Sequence, residues 1–166
     1  MNKYYNIKKA VLVEPNPTNF SKLEQKENYV LYNCLVDIEN KDDVLFYEDP
    51  NSPYNGSTIF NYFDYKVHNL KSITIKKIIE ENDIDYIDIL KIDIEGTEYQ
   101  ILENIQEEVL NKVGQITVEF HDFIDPTLKV KTIEIINRIE SFGFKRISNP
   151  IQYKFNSEHY DVLFYK

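Results

Sequence analysis

Cysteine is nearly absent from this chain. Cys34 stands alone among 166 residues, which excludes an internal disulfide and suits a reducing compartment. Glycine is scarce too. Gly56, Gly96, Gly114 and Gly143 never fall in Gly-x-Gly spacing, so no glycine-rich turn is present to let backbone approach a nucleotide closely. Positive charge is outnumbered, with 19 Lys and Arg against 28 Asp and Glu. The resulting net charge of −9 offers no basic field for nucleic acid and repels an anionic membrane surface. No run of 18 apolar residues occurs, and the opening MNKYYNIKK lacks the apolar core of a signal peptide. A cytoplasmic location is therefore expected, with neither nucleic acid nor membrane as a partner.

What is present is enough for a core. Hydrophobic residues make up 42% of the sequence and aromatic ones 14%, which excludes general disorder. A length of 166 residues suits one domain, spanning 1–166, and is short for two. No internal repeat and no domain linker interrupts it.

The chain is organised around residues 86–102, YIDILKIDIEGTEYQIL. Ile84, Ile87, Ile89, Ile92 and Ile94 form a dense β-branched run without clean alternation, which predicts a parallel strand covered on both faces. Gly96 relaxes the backbone, and Tyr99, Ile101, Leu102 and Ile105 resume at helical spacing. Between strand and helix sit Asp93, Glu95 and Glu98. Open α/β sheets place their ligands at this carboxyl end of a strand.

From the start, residues 10–14 (AVLVE) read as a strand, followed by Asn16 as helix cap and Pro17 at the first helical position. Residues 29–36 predict a second strand ending at Asp37, and residues 43–48 a third. Residues 49–57, DPNSPYNGS, are loop, either a lid over the site or a surface connection. Residues 72–82 resume helix through Ile75, Ile78 and Ile79, with Asn82 near its stop. Residues 114–121 form another strand. Asp125-Pro126 opens a helix whose core face is Ile135, Ile136, Ile139 and Phe142, and Gly143 ends it. Residues 144–148 and 160–165 read as an antiparallel hairpin at the sheet edge. Alternating strands and helices predict an α/β, mainly parallel, Rossmann-like sandwich.

The string Lys-Ile-Asp-Ile-Glu-Gly-x-Glu, residues 91–98, resembles the signature of the FkbM family of S-adenosylmethionine-dependent methyltransferases. Val13-Glu14-Pro15-Asn16-Pro17 upstream and Ile116-Thr117-Val118-Glu119-Phe120-His121 downstream match in the expected order, so the resemblance spans about residues 10–145. It implies a methyltransferase sandwich with an antiparallel C-terminal strand, for which YDVLFYK is the candidate. It also implies S-adenosyl-L-methionine as cofactor and a hydroxyl of a sugar or other small metabolite as acceptor. In the family, a strand, a turn of the type Asp-x-Gly-Ala-Asn-x-Gly and a helix precede the Glu-Pro-Asn-Pro segment. They are missing here. By the family's strand order the lost strand lies between residues 10–14 and 87–93, so two apolar strand edges are left open. Direct pairing of those strands, a strand from another chain, or truncation of the gene product would each account for this.

The resemblance assigns cofactor contacts to Glu14, Asn16 and Asp37, with Glu14 on the ribose hydroxyls and Asp37 toward the adenine. Read alone, Glu14 is also an ordinary acid beside a helix start, and Asp37 a turn residue. Asp93, Glu95, Glu119 and His121 form the reactive constellation. Glu119 and His121 share a face, and Asp93 and His121 lie near the carboxyl ends of neighbouring strands. Methyl transfer needs alignment of nucleophile, methyl and leaving sulfur, and often a base, for which His121 and Asp93 are the candidates. The same set could hold a divalent ion, but without tight ligand spacing no metal is assigned. As purely structural groups these acids would cap the following helix and pair with Lys91, and Glu98 is read as such a cap. His68 and His159 read as surface residues and Cys34 as a packed thiol. The alternatives to an enzyme are a non-catalytic remnant and one part of a split enzyme.

Overall fold

In a computed structural model describing residues 6–50, 56, 58, 64–94, 97–122, 127–148 and 161–166, strands and helices alternate in a mixed α/β fold. The chain divides into two compact units, Met1–Ile73 and Thr74–Lys166.

The first unit begins with β1 (Ala10–Val13), α1 (Pro17–Phe20) and β2 (Tyr29–Tyr32). β1 and β2 pair in parallel, Ala10 beside Tyr29 and Val13 beside Tyr32, with α1 as the short crossover. The expected cap is in place, since Asn16 Oδ1 accepts from the N–H groups of Thr18 (2.8 Å) and Asn19 (3.1 Å). A second sheet holds β3 (Leu35–Val36), β4 (Lys41–Glu48) and β5 (Lys66–Ile73) in the order β3-β5-β4. β5 runs parallel to β3 and antiparallel to β4.

Two expectations change here. Residues 29–36 are not one strand, because Asn33 leaves the ladder and its Nδ2 donates to the carbonyls of Glu14 (2.9 Å) and Pro15 (3.0 Å). The backbone then re-enters pairing as β3 in the other sheet. Ser72 and Ile73 belong to a strand rather than to the start of a helix. β5 turns His68, Leu70 and Ser72 toward one side at a period of two, and the lysines among them obscure the pattern.

The second unit contains α2 (Ile75–Glu81), β6 (Ile87–Ile92), α3 (Glu98–Asn104), α4 (Glu107–Leu110), β7 (Val113–Glu119), α5 (Leu128–Ser141), β8 (Lys145–Ser148) and β9 (Asp161–Tyr165). Its sheet has the order β6-β7-β9-β8. β6 and β7 are parallel, while β9 is antiparallel to both β7 and β8, which forms the expected C-terminal hairpin. Tyr99, Ile101, Leu102 and Ile105 are all buried, as their spacing predicts, and Tyr99, Leu102 and Ile105 share a core cluster with Val118, Phe120 and Phe164. Ile135, Ile136 and Ile139 of α5 join the same core. Gly143 ends that helix at φ 87°, in the left-handed region where a side chain is strained.

β6 departs from the expected strand buried on both faces. Ile92 is buried but Ile89 is 53% exposed, because among the described strands β6 has a single ladder partner and lies at the end of its sheet. Residues 51–55 and 57 of the expected loop, and Asp125-Pro126, lie outside the described residues.

Candidate functional site

The carboxyl ends of β6 and β7 carry the acids and the histidine singled out above. Parallel register sets Ile92 beside Val118, so Asp93 and Glu119 follow at the same end of adjacent strands. Asp93 pairs with Lys91 Nζ at 2.5 Å. Glu119 lies opposite Asp161 in the β7–β9 ladder. Burial pushes the Glu119 carboxyl above its ordinary range, and the charges of Asp93 and Asp161 push it further, against the pull of His121 and Lys91. Asp93, Glu119 and His121 thus share one electrostatic neighbourhood. Glu95 lies outside the described residues.

His121 follows β7 and is only 4% exposed. Its Nδ1 lies 3.0 Å from Oε1 of Glu98, whose side chain is fully buried. The oxygen sits off the axis of the ring N–H, so this contact is electrostatic rather than a well-aligned hydrogen bond. The same Oε1 accepts the backbone N–H of Ile94 at 2.9 Å, which ties the end of β6 to the start of α3. The next residue, Asp122, is buried too. Its Oδ2 lies 3.1 Å from Oγ1 of Thr132, which in turn lies 3.3 Å from the Tyr99 hydroxyl.

In the first unit, Glu14 stands half-buried directly after β1, and its Oε1 accepts the backbone N–H of Asn16 at 2.8 Å. Asn16 itself is 2% exposed. Asp37 follows β3. Its Oδ1 accepts from the N–H of Ile38 at 2.7 Å, and its Oδ2 pairs with Lys41 Nζ at 2.8 Å. Glu48, at the end of β4, is buried with its Oε2 2.6 Å from His68 Nε2. The side chains of Thr18 and Asn16 also act on the Glu48 carboxylate. Burial pushes the Glu48 carboxyl up, but His68, Thr18 and Asn16 outweigh it and hold the group below its ordinary range. His68 is therefore not a surface residue, its side chain being 14% exposed and committed to this contact. His159 lies outside the described residues.

The structure thus groups Asp93, Glu119 and His121 in one unit and Glu14 with Asn16 in the other, while Asp37 is engaged with Lys41 beside its own strand. Sequence reasoning missed Glu98 as the partner of His121, and Glu48 as the partner of His68. For Glu98 a signal existed. With Ile101, Leu102 and Ile105 it falls at i, i+3, i+4 and i+7 on the apolar stripe of α3, which places it inward. No local pattern marks Glu48. Among the described residues no three His, Cys, Asp or Glu side chains are placed to hold a metal ion, and no helix is long and apolar enough to cross a membrane.

Comparison with curated proteins and with solved structures gave no match. The family described as the Methyltransferase FkbM domain matches residues 1–146, most of the chain and all three segments of the sequence resemblance. This protein therefore belongs to the FkbM methyltransferase family.

Proposed function

We propose that this chain is an S-adenosylmethionine-dependent methyltransferase domain that acts on a hydroxyl of a sugar or other small metabolite. The carrying observation is the buried Glu98–His121 pair at the carboxyl end of β7, beside Asp93 and Glu119. A buried carboxylate next to Nδ1 favours a proton on that nitrogen and leaves Nε2 as the acceptor. His121 takes the proton from the substrate hydroxyl, Glu98 orients the ring, and Asp93 and Glu119 supply negative charge that favours the imidazolium formed. Asp93 is the second candidate for the base itself.

Glu14 and Asn16 suit the ribose end of the cofactor. A half-buried carboxylate oriented by a backbone N–H at the carboxyl end of a parallel strand can accept from a diol. Asp37 is the residue we assign to the adenine end. The sequence offers no Gly-x-Gly turn for the methionine end, which is also what a non-catalytic remnant would look like. When bound, the cofactor supplies an electrophilic methyl group, and the chain's own residues orient the acceptor and remove its proton. We assign the chain a Rossmann-like methyltransferase sandwich as a single domain, residues 1–166. The reading also includes a cytoplasmic location and a further chain covering the open edges of β1 and β6.

The test is calorimetric titration of the folded chain with S-adenosylhomocysteine, followed by methyl-transfer assays on a panel of sugars and small alcohols. Micromolar affinity, about −8 kcal/mol, is expected. His121→Ala should retain that affinity and lose turnover by about 10²-fold or more. A folded chain that binds no S-adenosylhomocysteine, or an undiminished rate in His121→Ala, would overturn the reading.

A further inference from the structure

A carboxylate is costly to bury, yet Glu48 points to the inner side of β4 next to Phe46, a side otherwise suited to apolar residues. Its surroundings show how it is satisfied. His68, from the adjacent β5, approaches Oε2 to 2.6 Å, and Lys66 Nζ lies 3.8 Å from the same oxygen. The remaining partners, Thr18 and Asn16, come from the turn that follows β1. Asn16 Oδ1 is already taken by the N–H groups of Thr18 and Asn19, so the Asn16 side chain meets Glu48 with its NH₂ group as donor. The backbone N–H of the same Asn16 donates to Glu14 Oε1 at 2.8 Å. One continuous series of contacts therefore runs from His68 through Glu48 and Asn16 to Glu14.

We infer that Glu48 and His68 are positioning residues for a diol-binding turn, holding Asn16 so that its N–H aims the Glu14 carboxylate at the ribose hydroxyls of a nucleoside ligand. The inference rests on the reading of Glu14 as the ribose acceptor. Among the groups that hold the Glu48 carboxyl below its ordinary range, His68 of β5 comes first, and Thr18 and Asn16 of the turn add to it. A neutral Gln at position 48 keeps the shape and can still offer its carbonyl oxygen to the Asn16 NH₂, but it removes the negative charge. The tie to the turn then weakens from a charge-assisted contact to a neutral one.

The experiment is a double-mutant cycle read by calorimetric affinity for S-adenosylhomocysteine, using the full chain in four forms: native, Glu14→Gln, Glu48→Gln and the double variant. Glu14→Gln should weaken binding about tenfold or more, the loss of a charge-assisted hydrogen bond. Glu48→Gln should weaken it about three- to tenfold, and the double variant should bind like Glu14→Gln alone to within about a factor of two. A general structural role for Glu48 would instead make the two losses multiply. Multiplying losses, or native affinity in Glu48→Gln while Glu14→Gln is impaired, would overturn this inference and leave the ribose reading standing. Native affinity in Glu14→Gln, or no binding by the native chain, would overturn the ribose reading and this inference with it. Should Glu48→Gln fail to fold, His68→Leu enters the same cycle with the same criteria: loss in the native background and none beside Glu14→Gln.

Discussion

An acid in the first turn of a helix ordinarily faces solvent and stabilises the helix's positive end. Glu98 occupies that position and does bond to the Ile94 N–H, yet it is fully buried and lies against His121. The place of the acid in the first turn was legible from chain position, but its bond goes to a residue before the helix rather than to the helix's own N–H groups. The pairing was not legible, because it depends on α3 returning along the sheet so that its first turn meets the residue after β7. Glu119 illustrates how such surroundings titrate. Its carboxyl is raised above the unfolded value of 4.5, first by burial and then by Asp93, so ionising it disfavours the folded state. Stability held below pH 4.5 is lost as pH rises through the higher folded-state value. Glu119→Gln should therefore melt higher than the native chain at pH 7, with the difference shrinking toward zero as pH falls below 4.5. Thermal melts across that range check this, and a gain independent of pH would contradict it.

Among elements, the most legible were those stopped and started by local chemistry. Asn16-Pro17 opens α1, Gly143 closes α5, and Ile135, Ile136 and Ile139 line the buried face of α5. α2 carries its own cap, since Thr74 Oγ1 accepts the Lys77 N–H at 3.0 Å, and Asp83 at φ 51° turns the chain away after Asn82. Thr74→Ala should cost about 1 kcal/mol, read as a lower denaturation midpoint with an unchanged slope. β5 was the least legible element. Lys66, Asn69 and Lys71 give it a polar composition, and the strand exists because its backbone pairs with β3 on one side and β4 on the other. The same dependence on partners split residues 29–36, where the side chain of Asn33 binds the loop after β1 instead of continuing the ladder.

Across the whole molecule, each unit has its own means of burial. The second rests on a continuous apolar cluster in which Leu102, Val118, Phe120, Ile139, Val162 and Phe164 are fully buried. Phe164→Ala should destabilise this unit by about 3–5 kcal/mol, measured by chemical denaturation, with loss of the β7–β9 pairing visible in amide exchange. The first unit buries Cys34, Leu35, Phe46 and Ile73 and, besides these, the polar Asn16 and Glu48. Short-range rules were sufficient for most strands and helices, though not for β5 or the break at Asn33, and for the caps and the family string around Asp93, because propensity, capping and periodicity act within a few neighbouring residues. Tertiary structure alone decided that Glu98 meets His121 and that Glu48 meets His68 and Asn16. Those contacts arise from strand register and from the return of distant segments, and burial then determines which acid is raised and which is lowered.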